Sequence, residues 1–98
     1  MVNNVCICIP RLDRFSTKRT IRGVLDKYNF GSINRVDIVG SDDRRRAFIH
    51  FHKWNDELEH VKKVLDRLNS NNKVNIIHSF PWYWRCVKSR ERKSSFIS

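Results

Sequence analysis

The order in which the apolar residues change their spacing constrains this chain more than any other feature. Val5, Ile7 and Ile9 alternate with Cys6 and Cys8, the two-residue period of a strand that buries one face. Ile21, Val24, Leu25 and Tyr28 then recur at i, i+3, i+4 and i+7, which is one face of a helix. Ile33, Val36 and Ile38 mark a second strand closed by Gly40, and Ala47, Ile49 and Phe51 alternate along a third. A second helical stripe follows in Leu58, Val61, Val64, Leu65 and Leu68. Two short runs, Val74 to Ile77 and Trp82 to Val87, flank a turn containing Pro81. The order is strand, helix, strand, strand, helix, strand, with a small additional strand before the last. Two helices can cover only one face of a four-stranded antiparallel sheet, so this pattern predicts an α+β split βαβ sandwich with its other face in water.

Local signals set the boundaries. Pro10 stops the first strand. Ser16 or Thr17 is placed to cap the first helix, and Gly31 supplies the permissive backbone that ends it. Ser41-Asp42-Asp43 is a polar turn between the second and third strands. Asn55 or Asp56 caps the second helix, with Asp56 and Glu59 spaced as a capping pair and Arg67 near the far end, an order that complements the helix dipole. On the third strand, the inward residues leave Arg44, Arg46, Phe48 and His50 on the open side. On the last strand, Tyr83, Arg85 and Val87 oppose Trp82, Trp84 and Cys86 in parity. Parity alone does not choose between them: burial of Trp84 and Cys86, the reading adopted, puts Tyr83 and Arg85 on the open face, whereas the opposite register exposes Trp82 and Trp84 as a larger apolar patch.

With 98 residues the chain has room for one modest core, and any site must lie on the surface of the fold. No linker or repeat divides it. Residues 4–88 are read as the domain, and residues 89–98 as a basic, flexible tail. Twenty Lys and Arg against ten Asp and Glu give a formal charge of +10, which attracts polyanions and makes nucleic acid the leading partner class. Five cations and one anion fall after residue 80, so the charge is densest at the C-terminus. Three cysteines, two of them separated by one residue, do not suggest a disulfide framework. With no cleavable leader and no apolar run of membrane-spanning length, the chain reads as reduced, intracellular and without a membrane partner.

The octamer Arg44-Arg45-Arg46-Ala47-Phe48-Ile49-His50-Phe51 resembles the ribonucleoprotein octamer of the RNA recognition motif, K/R-G-F/Y-G/A-F-V-x-F/Y. Five positions fit: Arg44 the basic one, Ala47 the small one, Phe48 the exposed aromatic, Ile49 the buried aliphatic and Phe51 the buried aromatic. Arg45 replaces the glycine and Arg46 the first exposed aromatic. On the first strand, Ile7-Cys8-Ile9-Pro10-Arg11-Leu12 is similar to the companion hexamer, with Cys8 where a second stacking aromatic is expected. The likeness implies a ferredoxin-like, RNA-recognition-motif-like fold with its contact surface on the open face. Cys8-Ile9-Pro10-Arg11, Phe48 to Phe51 and Pro81-Trp82-Tyr83-Trp84-Arg85-Cys86 together look like short proteins of this type from large cytoplasmic DNA viruses. That likeness implies a viral origin and a place in the host cytoplasm, at the viral factory or in the virion.

These readings converge on a binding module for single-stranded RNA, and secondarily single-stranded DNA. Phe48 stacks a base and Tyr83 forms a second platform. Arg44, Arg46 and Arg85 contact phosphates or stack, beside Cys8 and His50, and Lys88 with Arg90, Arg92 and Lys93 adds diffuse attraction. The rival reading is a protein-interaction or assembly module that grips a viral or host protein, anchored by the aromatic C-terminal hairpin. His50-Phe51-His52 spells the paired histidines of metal-dependent nicking nucleases, but no tyrosine is placed to serve as the nucleophile. No zinc-ligand spacing, Gly-rich phosphate loop or paired-carboxylate cluster is present, so no metal, cofactor or catalysis is expected.

Overall fold

A computed structural model describes residues 5–41 and 44–89. Its strands are β1 (Ile7–Ile9), β2 (Gly31–Val39), β3 (Arg46–Trp54), β4 (Val74–Ser79) and β5 (Trp82–Lys88), and its helices are α1 (Lys18–Tyr28) and α2 (Glu59–Asn69). The sheet is antiparallel throughout and runs β2-β3-β1-β5-β4. It has five strands rather than four. The extra edge arises because Val74 and Ile76 alternate inward and pair with Cys86 and Trp84, which gives the run before Pro81 a face to bury. Since β3 lies between β1 and β2 and is antiparallel to both, β1 and β2 are parallel, joined over the sheet by α1.

One core lies between sheet and helices. Ile7 and Ile9 from β1, Ala47 and Ile49 from β3, Ile21 and Leu25 from α1, and Val61, Leu65 and Leu68 from α2 are all buried in it. Burial of a Val, Leu or Ile side chain contributes about 1.5–3 kcal/mol, so these positions dominate the driving force. Trp84 and Cys86 are inside and Tyr83 and Arg85 point away from the core, which settles the parity of the last strand. Trp82 is exposed despite sharing parity with Trp84, because the β4–β5 register shifts between Ile77 and Ser79, just before the hairpin turn.

The start of α1 is as expected, and the helix ends differ from expectation in two places. Thr17 caps α1, its side-chain oxygen accepting from the Thr20 N–H, an arrangement whose loss costs about 1 kcal/mol. Ser16 is buried beneath and donates to Asp13 at 2.6 Å. Asn29, in the left-handed conformation, ends α1. Gly31 instead opens β2 at φ 155°, where any Cβ would run into the backbone of Lys53 and Trp54. Neither Asn55 nor Asp56 caps α2. Leu58 occupies the N-cap without a side-chain bond, and Asn55 is drawn back to Asn29, donating from Nδ2 to its carbonyl and side-chain oxygens.

Two bulges position the open face. The pairs Ser32–Lys53, Ile33–Phe51 and Arg35–His50 leave His52 extra on β3 and Asn34 extra on β2. A bulged residue breaks the strict alternation of its strand. Asn34 lets Ile33 and Val36, three residues apart, both face inward, and it sets Arg35 and Asp37 together on the open side. His52 lets Trp54 turn into the core, where its Nε1 donates to the Val5 carbonyl at 3.0 Å. Phe51 is only half-buried and stacks on Trp54 at 4.0 Å between centroids.

Candidate functional site

The register brings one residue from each of four strands into a row across the open face. Asp37 pairs with Phe48, Phe48 with Cys8, and Cys8 with Val87. Three strand spacings of roughly 4.8 Å make this row about 14 Å long. Phe48 is half-buried, so the site remains on the surface. A concavity of about 900 Å³ borders the row, lined among others by Cys8, Arg35, Asp37, Arg46, Phe48, His50 and Val87.

A second row carries the polar groups. Arg35 Nε donates to Asp37 Oδ2 at 3.0 Å, His50 Nε2 lies 3.1 Å from the same oxygen, and His50 Nδ1 lies 3.6 Å from Cys6 Sγ. Partial desolvation raises the Asp37 carboxyl, but the hydrogen bond and charge of Arg35, with His50, outweigh it and hold the group below its ordinary value. Asp37 is the anion nearest Phe48 in the register, and Arg35 counters its charge. The Cys8 thiol is pushed up by burial, against a smaller lowering by the Arg46 cation.

Cys8, Arg46, Phe48 and His50 therefore meet at one concavity. Lys88 also borders it, whereas Arg44, Tyr83 and Arg85 do not. Arg44 precedes β3 and belongs to the turn, its N–H donating to the Ser41 carbonyl at 3.0 Å. Lys88 pairs with Ile7, placing its side chain on the helix side, where Nζ donates to Asn69 Oδ1 at 3.1 Å. Tyr83 and Arg85 face outward but pair with Ile77 and Asn75 on the hairpin and do not line the concavity. Arg90, Arg92 and Lys93 lie outside the described residues. His52 sits exposed at the bulge, so the alternation that would set it beside His50 breaks off there. Among the described residues no group of three His, Cys, Asp or Glu side chains could hold a metal, and no helix is long and apolar enough to cross a membrane.

Sequence reasoning missed three features. Arg35 and Asp37 reach the open face only through the Asn34 bulge, which no periodicity reveals. Arg45, at the position where the octamer has glycine, donates to the carbonyls of Asp13, Arg14 and Ser16 and so clamps the β1–α1 loop. Phe80 and Trp82 stand 83% and 69% exposed at the β4–β5 turn, and a Phe-Pro-Trp turn was the available signal. Compared with models of protein families, with curated proteins and with solved structures, the chain matches none.

Proposed function

We propose that this chain is a split βαβ module of the RNA-recognition-motif type that holds single-stranded RNA, and secondarily single-stranded DNA, across its open sheet face. The observation that carries the reading is the placement of Phe48 at the centre of a four-strand row, on the side away from both helices, with Arg46 exposed on the same strand. A base stacked on an aromatic ring gains about 1–3 kcal/mol whatever its identity, and neighbouring cations neutralise phosphates. The fold supports the assignment through its element order and through β3 lying between the parallel pair β1 and β2. With Cys8 beside Phe48 instead of a second aromatic, one base is stacked and specificity is low. The formal charge of +10 supplies long-range attraction that salt weakens.

Fluorescence anisotropy of a labelled single-stranded RNA, titrated at low salt, tests this. The expected result is saturable binding that Phe48→Ala weakens roughly 5- to 150-fold. No binding, or equal binding by the variant, contradicts it. A protein-interaction or assembly module is the second reading, favoured by the exposed Phe80 and Trp82 at the hairpin turn. On that reading oligonucleotides leave the anisotropy flat, and Trp82→Ala, not Phe48→Ala, abolishes association with a viral or host protein.

A further inference from the structure

The three described cysteines occupy three different environments. Cys86 is buried in the core, and burial pushes its thiol up to about 12. Cys8 lies in the middle of β1, flanked in register by Phe48 and Val87, and has no base beside it in the hydrogen-bond network described above. Cys6 precedes β1, its carbonyl held by the Ser89 N–H at 2.7 Å, and its sulfur is 3.6 Å from His50 Nδ1.

The orientation of that histidine follows from its other neighbour. An ionised carboxylate only accepts hydrogen bonds, so the 3.1 Å contact with Asp37 places the ring hydrogen of neutral His50 on Nε2. Nδ1 is then a lone pair aimed at the thiol. Asp37 is itself fixed by Arg35 at 3.0 Å. Thiol, base and orienting carboxylate thus stand in the sequence of contacts that activates a nucleophile, and they come from the residue just before β1, from β3 and from β2.

We propose that Cys6 is a base-assisted reactive thiol whose reaction partners are small-molecule disulfides. His50 Nδ1 takes the thiol proton, and the thiolate sulfur attacks one sulfur of the disulfide. The new bond to Cys6 forms as the old sulfur–sulfur bond breaks, and the departing thiolate recovers the proton from the imidazolium. Cys6 is oxidised to a mixed disulfide and one equivalent of the small thiol is reduced and released, so the exchange is stoichiometric. The charged and titratable groups around His50 are Cys6 and Asp37, in contact with it, and Arg35, Cys8, Lys18, Arg46 and Lys88, which line the same concavity beside the uncharged Val87 and Ser89.

Reaction of the full-length protein with dithiodipyridine, followed by thiopyridone absorbance across a pH series, tests the proposal. One equivalent is expected to react in a fast phase, mapped to Cys6 by peptide mass spectrometry and absent in Cys6→Ser. That phase should persist at pH values where an unassisted thiol is almost wholly protonated. His50→Gln and Asp37→Asn should each slow it roughly tenfold at neutral pH and move its pH dependence toward an ordinary thiol near about 8.5. Cys8 should react slowly and equally in all of them, and circular dichroism shows which variants are folded. A Cys6 rate no greater than that of Cys8, a fast phase surviving Cys6→Ser, or an unchanged pH profile in both folded relay variants overturns it.

Discussion

The two sides of β3 place consecutive residues under opposite demands. Ala47 and Ile49 are sealed beneath the helices and fully buried, whereas Phe48 between them and His50 beyond them face outward and are half-buried. At Ala47 and Ile49 on the inner side, size and apolarity decide the residue, because packing is close. On the outer side, a ring lies among Cys8, Asp37 and Val87, and an ion-paired carboxylate orients a histidine toward a thiol. One face secures the fold, and the other is free to carry chemistry with limited consequence for stability.

The sharpest way to break that comparison is to truncate neighbours on opposite sides. Ile49→Ala should lose about 2–5 kcal/mol of unfolding free energy, and Phe48→Ala less than about 1.5 kcal/mol because its ring is only partly buried. Urea unfolding of both variants checks this, and equal losses would show that the outer face is structural. The reverse ranking is expected in RNA affinity, where Phe48→Ala costs about 1–3 kcal/mol while a conservative core change such as Ile49→Val, kept folded, leaves binding unchanged.

A smaller effect separates Arg46 from Arg44. With Arg46 on the open face and Arg44 in the turn, Arg46→Ala should lower the slope of log affinity against log salt by roughly 0.7, one phosphate's worth on a single strand. Arg44→Ala should change it less. A salt series of anisotropy titrations reads both slopes.

The smallest expected effect is in acid. Asp13 and Asp37 both titrate below the ordinary carboxylate value in the folded chain. At Asp13, desolvation is outweighed by hydrogen bonds from Ser16, Trp84 and the Phe15 N–H. At Asp37 it is outweighed by Arg35 and His50. A group depressed by folding stabilises the native state above its unfolded pKa, and that contribution is lost as pH falls through the folded value. Between about pH 5 and about pH 3, wild-type Tm should therefore fall. Asp13→Asn should flatten the fall more than Asp37→Asn, because Asp13 anchors the buried Trp84 whereas Asp37 joins only surface groups.

How much of this was legible in the sequence depended on whether a residue obeyed a simple period. Ile7, Ile9, Ile49, Leu65 and Trp84 did, and their burial follows from alternation or helical spacing alone. Arg35, Asp37 and Trp54 did not. Their positions depend on bulges at Asn34 and His52, where one added residue reverses every later side chain. The Cys6–His50–Asp37 contacts were hidden for the same reason, since they join residues far apart in sequence through a register that only strand pairing defines. Phe48 and Arg46 were legible because they lie before the β3 bulge. Lys88 was legible in part: it borders the concavity as its charge suggested, but its parity sends Nζ to Asn69 on the helix side.

Chemical-shift mapping of the labelled protein with a pool of short single-stranded RNAs tests the central claim most directly. The account predicts shifts concentrated at Cys8, Arg46, Phe48, His50 and Val87, with the amides of α1 and α2 unmoved. Shifts confined to the Phe80–Trp82 turn, or none at all, would contradict it.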